Sequence, residues 1–208
     1  MTVEKIYQWT EAAIGHLTNG ANRHVLEILH GLKEEAAAEI RKNAAKTNGS
    51  RDRQKAAEKV LKNAKTIGKE ALCGAWVNGD AQYFSDSFAA YRLRDTIPLE
   101  NIPRVDFHGV LENAFTGAEQ NEKTLDLPDV PTLRAYIKTE KATKKAAKDR
   151  TPVLYRFGEL LPVVNAEYLL NILEILPGAV CRCSSHSILK PLYFTATAGD
   201  AVLCPVRK

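Results

Sequence analysis

NAEYLLNILEILPG, residues 165–178, decides the fold together with three apolar segments that follow it: AVCRC (179–183), KPLYFTAT (190–197) and AVLCPVR (201–207). Apolar residues recur at helical spacing in the first stretch; Asn165 is placed to cap that helix, and Pro177-Gly178 to end it. The three later segments are short and apolar, as strands are. Pro205 predicts that the chain leaves the sheet at that point. We therefore predict a compact α+β unit in which an amphipathic helix lies across an antiparallel sheet.

A weaker version of the same order occurs earlier in the chain. RDRQKAAEKVLKNAK (51–65) carries an apolar stripe, and Ser50 is placed to cap that helix. The stretch 71–86 centres on Asn78-Gly79, the strongest short hairpin signal in the sequence. AAYRLRD (89–95) is one more extended segment. A helix, a hairpin and a strand in this order indicate an internal repeat of the C-terminal unit.

The remaining segments are additions to this repeat. The helical pattern of residues 3–18 places Ile6, Trp9, Ala13 and Leu17 on one face, and a second helix is predicted from Asn22 toward Asn48-Gly49. Residues 96–130 are rich in Pro, Asn, Asp and Gly and predict an irregular or partly helical insertion. Pro131 suits the first turn of a helix that ends before Pro152. We expect an N-terminal helical extension (1–50) and an α+β domain (51–208) with a helical insertion at about 96–150.

The composition is that of an ordinary globular protein, with 45% hydrophobic and 26% charged residues. The sequence has no apolar run of the roughly 20 residues that a membrane helix needs. The first residues carry Glu4 and Lys5 without an apolar core, which is not the pattern of a secretory signal. The four cysteines are too irregularly spaced for a disulfide framework, so we expect a cytoplasmic protein without membrane attachment.

Charge is distributed unevenly around the net value of +4. Residues 33–69 hold 11 Lys or Arg against 5 Asp or Glu, and residues 134–150 hold 7 against 2. The intervening residues 95–129 hold 8 acids against 2 bases. Basic helices favour polyanions because each neutralised phosphate releases counterions, although Lys-rich helices are also common as solvated faces. The candidate DNA contacts are Arg51, Arg53, Lys55, Lys59, Lys62, Lys65, Lys138, Lys141, Lys145 and Lys148.

No catalytic motif is present, and we expect neither an enzyme nor a cofactor. Cys181-x-Cys183-x-x-His186 is the one group with metal-like spacing, but structural zinc sites usually show a wider pair and a second half. Both thiols would face the same side of a strand, where they act as small apolar side chains, so no metal site is predicted. Asp86, in a Ser-Asp-Ser sequence, is better explained as a turn residue than as a catalytic carboxylate.

Residues 164–207 resemble the end of bacterial and phage sliding clamps, the processivity factors of DNA polymerase. The resemblance lies in Tyr168-Leu169-Leu170 of the helix, the segment from Pro191 to Phe194, and Pro205-Val206-Arg207 at the end. A fainter likeness covers the hairpin around Asp86, Tyr91 and Arg92. The resemblance implies a helix-on-sheet fold and an apolar groove that accepts a peptide of a replication partner. The positions carried over for this groove are Tyr168, Leu169, Leu203, Pro205, Val206 and Arg207.

The chain also differs from the clamp pattern. Bacterial clamps contain three such domains per chain, whereas this chain has material for one, so a ring would require a homo-oligomer. The helix 165–178 carries Glu167 and Glu174 and no base, unlike the helices that line a clamp's hole. Two functions follow as expectations. One is a non-enzymatic DNA-associated protein that contacts a replication partner. The alternative is a regulator, such as a phage inhibitor of a host complex, that uses the clamp fold without encircling DNA.

Overall fold

The structure, a computed structural model, describes residues 3–17, 29–33, 36, 39–40, 51–69 and 72–207. The chain divides into two compact units, Met1–Arg51 and Asp52–Lys208, one residue from the predicted domain boundary. In the N-terminal unit, α1 spans Val3–Leu17, and residues 29–33, 36 and 39–40 are helical. Trp9, predicted on the apolar face of α1, is 65% exposed. None of the described helices is long and apolar enough to cross a membrane.

The larger unit is a mixed α+β structure. Its helices are α2 (Arg51–Thr66), α3 (His108–Glu119), α4 (Val130–Ala146) and α5 (Ala166–Ile175). Its strands are β1 (Trp76–Asn78), β2 (Ala81–Ser85), β3 (Ala89–Leu93), β4 (Lys123–Leu125), β5 (Leu154–Arg156), β6 (Val163–Asn165), β7 (Val180–Cys183), β8 (Leu192–Ala196) and β9 (Gly199–Leu203). Seven strands form one antiparallel sheet in the order β1-β2-β3-β9-β8-β7-β4, and β5 and β6 form a separate hairpin.

The sheet is built from two copies of one order of elements. We call α2-β1-β2-β3 the first repeat and α5-β7-β8-β9 the second repeat. Their last strands pair antiparallel, with Tyr91 opposite Ala201 at the middle of the register. Across the sheet, the strand order β1-β2-β3 of the first repeat is therefore followed by the reversed order β9-β8-β7 of the second repeat. This arrangement is expected when two like units pack about an approximate two-fold axis.

Three helices form a layer on one face of the sheet. α2 runs antiparallel to α5, because Arg53 near its start bonds to the carbonyl of Ile175 and Asn63 near its end bonds to Tyr168. α4 runs antiparallel to the other side of α5, since Arg134 pairs with Glu174 and Lys141 with Glu167. Apolar residues of all three helices share one core with the alternate sheet residues that face them. The C-terminal halves of α2 and α4 therefore flank the first turn of α5.

The opposite face of the sheet is covered by α3, from the segment predicted to be irregular or partly helical. Phe115 of α3 packs in a cluster with Tyr193 and Val202 of the sheet. Arg92 of β3 pairs with Asp200 of β9 at 2.9 Å and also contacts acidic residues of α3. Arg94 adds a second 2.9 Å contact to Asp200, which is only 2% exposed. A network of charged residues thus joins the two repeats beneath α3.

The predicted boundaries are largely confirmed. Asn165 caps α5 by accepting a hydrogen bond from Glu167 N at 2.9 Å, and the chain turns at Gly178 with φ of 73°. The helix α4 is capped by Asp129, with Pro131 in its first turn. β9 ends at Leu203 and the chain leaves the sheet, as Pro205 predicts. β5, which follows the loop after α4, pairs with β6 outside the main sheet. The helix predicted from Asn22 lies mostly outside the described residues, and the cap at Ser50 lies wholly outside them.

Candidate nucleic-acid interface

The predicted basic stripe of the first repeat is formed by α2. Lys55, Lys59, Lys62 and Lys65 are all exposed along the helix. The opposite side of α2 buries small and branched residues, including Ala57 and Val60. Lys55 lies 3.9 Å from Asp52 in an exposed i, i+3 pair. Such a pair is too weak to keep the Lys55 ammonium group from binding a phosphate. Arg51 is exposed at the first position of the helix and belongs to the N-terminal unit.

Arg53 differs from the other cations of α2. Its Nε donates to the Ile175 carbonyl at 2.9 Å, and its guanidinium pairs with Asp95 just beyond β3. The side chain is only 14% exposed. A guanidinium at the C-terminal end of α5 also lies where the helix dipole favours a positive charge. Arg53 therefore joins α2, α5 and the end of β3, and its charge is used within the fold rather than at the interface.

The second predicted stripe lies on α4. Lys138, Lys141, Lys145 and Lys148 are exposed, although Lys148 lies just beyond the helix in a left-handed conformation with φ of 54°. Lys141 pairs with Glu167 of α5 at 2.7 Å. An open cavity of about 650 Å³ at this end of α4 is lined by Lys141, Lys145, Lys148 and two cations that the stripe did not include, Lys144 and Arg150.

Lys144 has an acidic partner in this cavity. Its ammonium group donates to Asp149 at 2.6 Å and to the hydroxyl of Thr151 at 2.7 Å. The hydrogen bond from Lys144, together with those from Thr151, lowers the pKa of the exposed Asp149 to about 2. Asp149 therefore stays ionised and pairs the loop after α4 with Lys144 in the last turn of the helix, while Lys145, Lys148 and Arg150 provide the positive charge of the cavity.

A second cavity lies between α2 and α5, and we call it the α2–α5 cavity. Its volume is about 360 Å³. It is lined by Lys59, Lys62, Asn63, Thr66, Asn165, Glu167, Tyr168 and Asn171. Glu167 lines both cavities, so the two lysine stripes approach the first turn of α5 from opposite sides. The face shared by α2, α5 and α4 at this end is therefore basic on both flanks, with one carboxylate between them.

Two residues of the α2–α5 cavity were missed by sequence reasoning. Asn63 donates to Asp86 at 2.7 Å and to the Tyr168 hydroxyl at 3.2 Å, which links α2 to the turn after β2 and to α5. Burial raises the pKa of Tyr168, so this phenol remains protonated. Asn171 is 3% exposed within an otherwise apolar stretch of α5. Its position on the helix, one turn after Tyr168, was the only signal in the sequence.

The residues predicted to form a partner groove do not meet in one. Leu169 and Leu203 are fully buried in the core, where their side chains fill the space between α5 and the sheet. Tyr168 stacks on Phe88 with ring centres 5.5 Å apart. Pro205 and Val206 are half-buried and Arg207 is exposed, and Val206 N donates to the Val163 carbonyl of β6 at 2.7 Å. The predicted groove is thus replaced by core packing and a backbone bond to the β5–β6 hairpin.

An apolar cavity does lie beside this region, near the turn between β2 and β3. It has a volume of about 260 Å³ and is lined mainly by apolar side chains, among them Phe88, Phe107, Val110, Pro191 and Val202. Val110 of α3 is 69% exposed and Phe88 is 44% exposed. The segment 96–130 therefore supplies one wall of an apolar depression that the sequence resemblance did not locate.

The other candidate groups have structural explanations. Asp86 is fully buried, and its Oδ1 accepts hydrogen bonds from the backbone of Phe88 and Ala89 at 3.0 and 2.9 Å. This is the turn role predicted for it. Cys181 and Cys183 face the core together, and burial raises the pKa of both thiols. Within the described part of the chain, no His, Cys, Asp and Glu side chains group in a way that suits a metal ion.

Comparisons of the chain with models of protein families, with curated proteins and with solved structures find no match.

Proposed function

We propose that this chain is a non-enzymatic binding protein that contacts the phosphate backbone of nucleic acid through α2 and α4. One observation carries the proposal: the lysines of both helices flank the first turn of α5 and line two cavities that share Glu167. Cations on a rigid helical face contact phosphates without reading base sequence. The resemblance of residues 164–207 to a sliding clamp supports the same role.

The proposed contact does not involve a ring. A ring that continued the sheet from one copy to the next would need a free strand at each edge. The second repeat is extended at its edge by β4, which pairs with β7. At the other edge, Ala75 next to β1 bridges Asn101, and Ile102 N donates to the Ala75 carbonyl at 2.8 Å. The insertion thus provides the outermost strand at one edge and a single bridge at the other, and both edge strands, β1 and β4, have only three residues. We therefore propose that the protein lies on nucleic acid rather than around it.

The test is the salt dependence of binding to a duplex of random sequence. Each phosphate contact adds about 0.9 to the slope of log affinity against log salt concentration. We expect Lys59→Ala/Lys62→Ala to lower that slope by about two, and Lys145→Ala/Lys148→Ala to lower it similarly. Lys190→Ala is the matched control, because Lys190 is exposed in the loop before β8, outside both cavities. A wild-type affinity that is independent of salt would remove the phosphate role.

The apolar cavity beside Phe88 favours a second candidate, a regulator that binds another protein. An exposed Val110 at the rim of an apolar depression is typical of an interaction surface. Val110→Asp should then abolish capture of a protein partner, while Ile188→Asp, at another exposed apolar residue, should not. Capture that is equal in both variants, or a solution mass that shows a closed multimer, would count against this candidate.

A further inference from the structure

The α2–α5 cavity contains one buried polar atom that the fold does not use. The Oδ1 of Asn171 has no hydrogen-bond partner among the described residues, and the side chain is 3% exposed. A buried acceptor without a donor costs about 1–3 kcal/mol. Its neighbours in α5, Leu170 and Ile172, are apolar, and a leucine at position 171 would avoid that cost. The unused acceptor therefore marks a place where a ligand can supply the missing donor.

The other polar groups of the cavity indicate what else the ligand carries. Lys59 and Lys62 line it from α2, and both are exposed. Lysine ammonium groups bind phosphate as point charges. A ligand that satisfies the whole cavity thus joins an anionic group to a hydrogen-bond donor a few ångströms away. A nucleotide has this combination, since the exocyclic amino group of its base donates and its phosphate is negatively charged.

The volume of the α2–α5 cavity agrees with that size of ligand. Pockets for small molecules usually enclose about 300–1,000 Å³, and this cavity has about 360 Å³. The carboxamide of asparagine matches the adenine edge, accepting from the amino group and donating to the adjacent ring nitrogen. Lysine side chains exposed to solvent rotate in nanoseconds or less, so they can turn aside to admit the base.

We infer that the α2–α5 cavity holds one unpaired nucleotide of a bound nucleic acid, with its phosphate on Lys59 and Lys62 and the amino edge of its base on Asn171. The inference rests on the proposed function and adds a preference for single strands whose bases carry an amino group. Purine deoxyriboside has no such group and no other donor on its base, so an oligomer of it binds through its phosphates alone. Base reading here uses a hydrogen bond in a cavity rather than stacking on aromatic rings.

The experiment compares three fluorescently labelled single strands of equal length: oligodeoxyadenylate, oligothymidylate, and an oligomer of purine deoxyriboside, which lacks the amino group. We expect the full-length protein to bind the adenylate about tenfold more tightly than the purine oligomer, with the thymidylate, whose imide N–H also donates, between the two. Asn171→Leu should bring all three to the affinity of the purine oligomer without changing the salt slope. Lys59→Ala/Lys62→Ala should weaken all three by the same factor and lower the slope.

Each outcome separates this inference from the proposed function. Salt-dependent binding that is equal for the three strands would overturn the inference and leave the phosphate role intact. Discrimination that persists in Asn171→Leu would also overturn it. No salt-dependent binding to any of the three strands or to the random duplex would remove both. Asn171→Leu should melt at or above the wild-type temperature, because it deletes an unpaired buried acceptor. The purine oligomer tests the amino group on the wild-type protein even if that variant fails to fold.

Discussion

The two repeats share one order of elements, yet their helices have opposite chemistry. α5 buries seven of its ten residues, whereas α2 buries six of its sixteen. α5 lies in the middle of the helical layer, with α2 on one side and α4 on the other. α2 lies at the rim and turns one side to solvent. The position of a helix in the layer, rather than its place in the repeat, decides whether its side chains are leucines or lysines.

The largest expected difference between the two helices is in the cost of truncating a core leucine. Leu169 of α5 is fully buried, while Leu61 of α2 is 8% exposed near the rim of the layer. We expect Leu169→Ala to lower the free energy of unfolding by about 4 kcal/mol and Leu61→Ala by about 2 kcal/mol, since a site at the rim can relax around the cavity. Urea denaturation measures both. Equal costs would show that the two positions are equivalent.

The next effect concerns the charged contact that joins the repeats. Asp200 of the second repeat is held by Arg92 and Arg94 of the first. Asp200→Asn removes the buried carboxylate that both arginines share and leaves Arg92 only its more exposed partners Glu112 and Glu119, and we expect a loss of about 3 kcal/mol. Thermal unfolding of the variant checks this value. A loss below about 1 kcal/mol, the usual worth of an exposed pair, would mean that water replaces the carboxylate.

Acid should weaken the same contact. Burial by itself would raise the pKa of Asp200, but hydrogen bonds from Arg94, Arg92 and Thr195 outweigh it and lower the pKa below its ordinary value. The stability from this carboxylate is therefore present above about pH 4, the pKa in an unfolded chain, and is lost as the pH falls through the lowered folded-state value. Asp200→Asn should lack this part of the acid dependence, measured by urea midpoints at stepped pH.

Replacing the glycine that follows α2 or α5 should have a smaller effect on stability, and the effect should be the same in both repeats. α2 and α5 are each followed by a glycine with φ of 73°, Gly68 and Gly178, and an added Cβ would meet open space at both. The only penalty for a side chain is then the left-handed backbone conformation. Gly68→Ala and Gly178→Ala should therefore each lower the free energy of unfolding by about 1 kcal/mol. Matched melting curves test this equality. A much larger cost at one glycine would indicate that the two helix ends differ in packing.

The smallest effect is expected at the solvated side of α2. Lys55 and Asp52 form an exposed pair at 3.9 Å, with 61% and 84% of their side chains accessible. Lys55→Ala should change the free energy of unfolding by less than about 0.5 kcal/mol, whereas Leu61→Ala on the buried side of the same helix should not be silent. Chemical denaturation in low salt gives the most sensitive measurement. A clear destabilisation would mean that α2 depends on its charges as well as on its core.

The repeats could be predicted because their signals are local. Helical spacing, the cap at Asn165 and the Asn78-Gly79 turn each act within a few residues. α3 was harder to locate because its N-cap residue, Phe107, provides no side-chain cap and because the helix contains two glycines. Its stability comes from burying Phe115 against the far face of the sheet, and no local pattern reports that contact.

The candidate site was predicted only in part for a similar reason. Each lysine stripe could be read from its own helix, but their convergence on Glu167 depends on how α2 and α4 pack against α5. Arg53 resembled its neighbours in sequence and differs from them only through contacts with Ile175 and Asp95, more than forty positions away. The burial of Asn171 could not be predicted either, because it depends on the packing of the helices around it.

The two edge strands of the sheet also affect how the protein behaves at high concentration. A long unpaired strand at the margin of a sheet offers its backbone groups to other chains and can start fibril growth. Here the outermost strands, β1 and β4, have three residues each, and β4 begins with the exposed Lys123. Such short edge strands, one of them with a charged side chain, offer few backbone groups with which a strand of a second molecule can pair. Removing β4 would thus leave β7 unpaired at the edge of the sheet and promote self-association into aggregates.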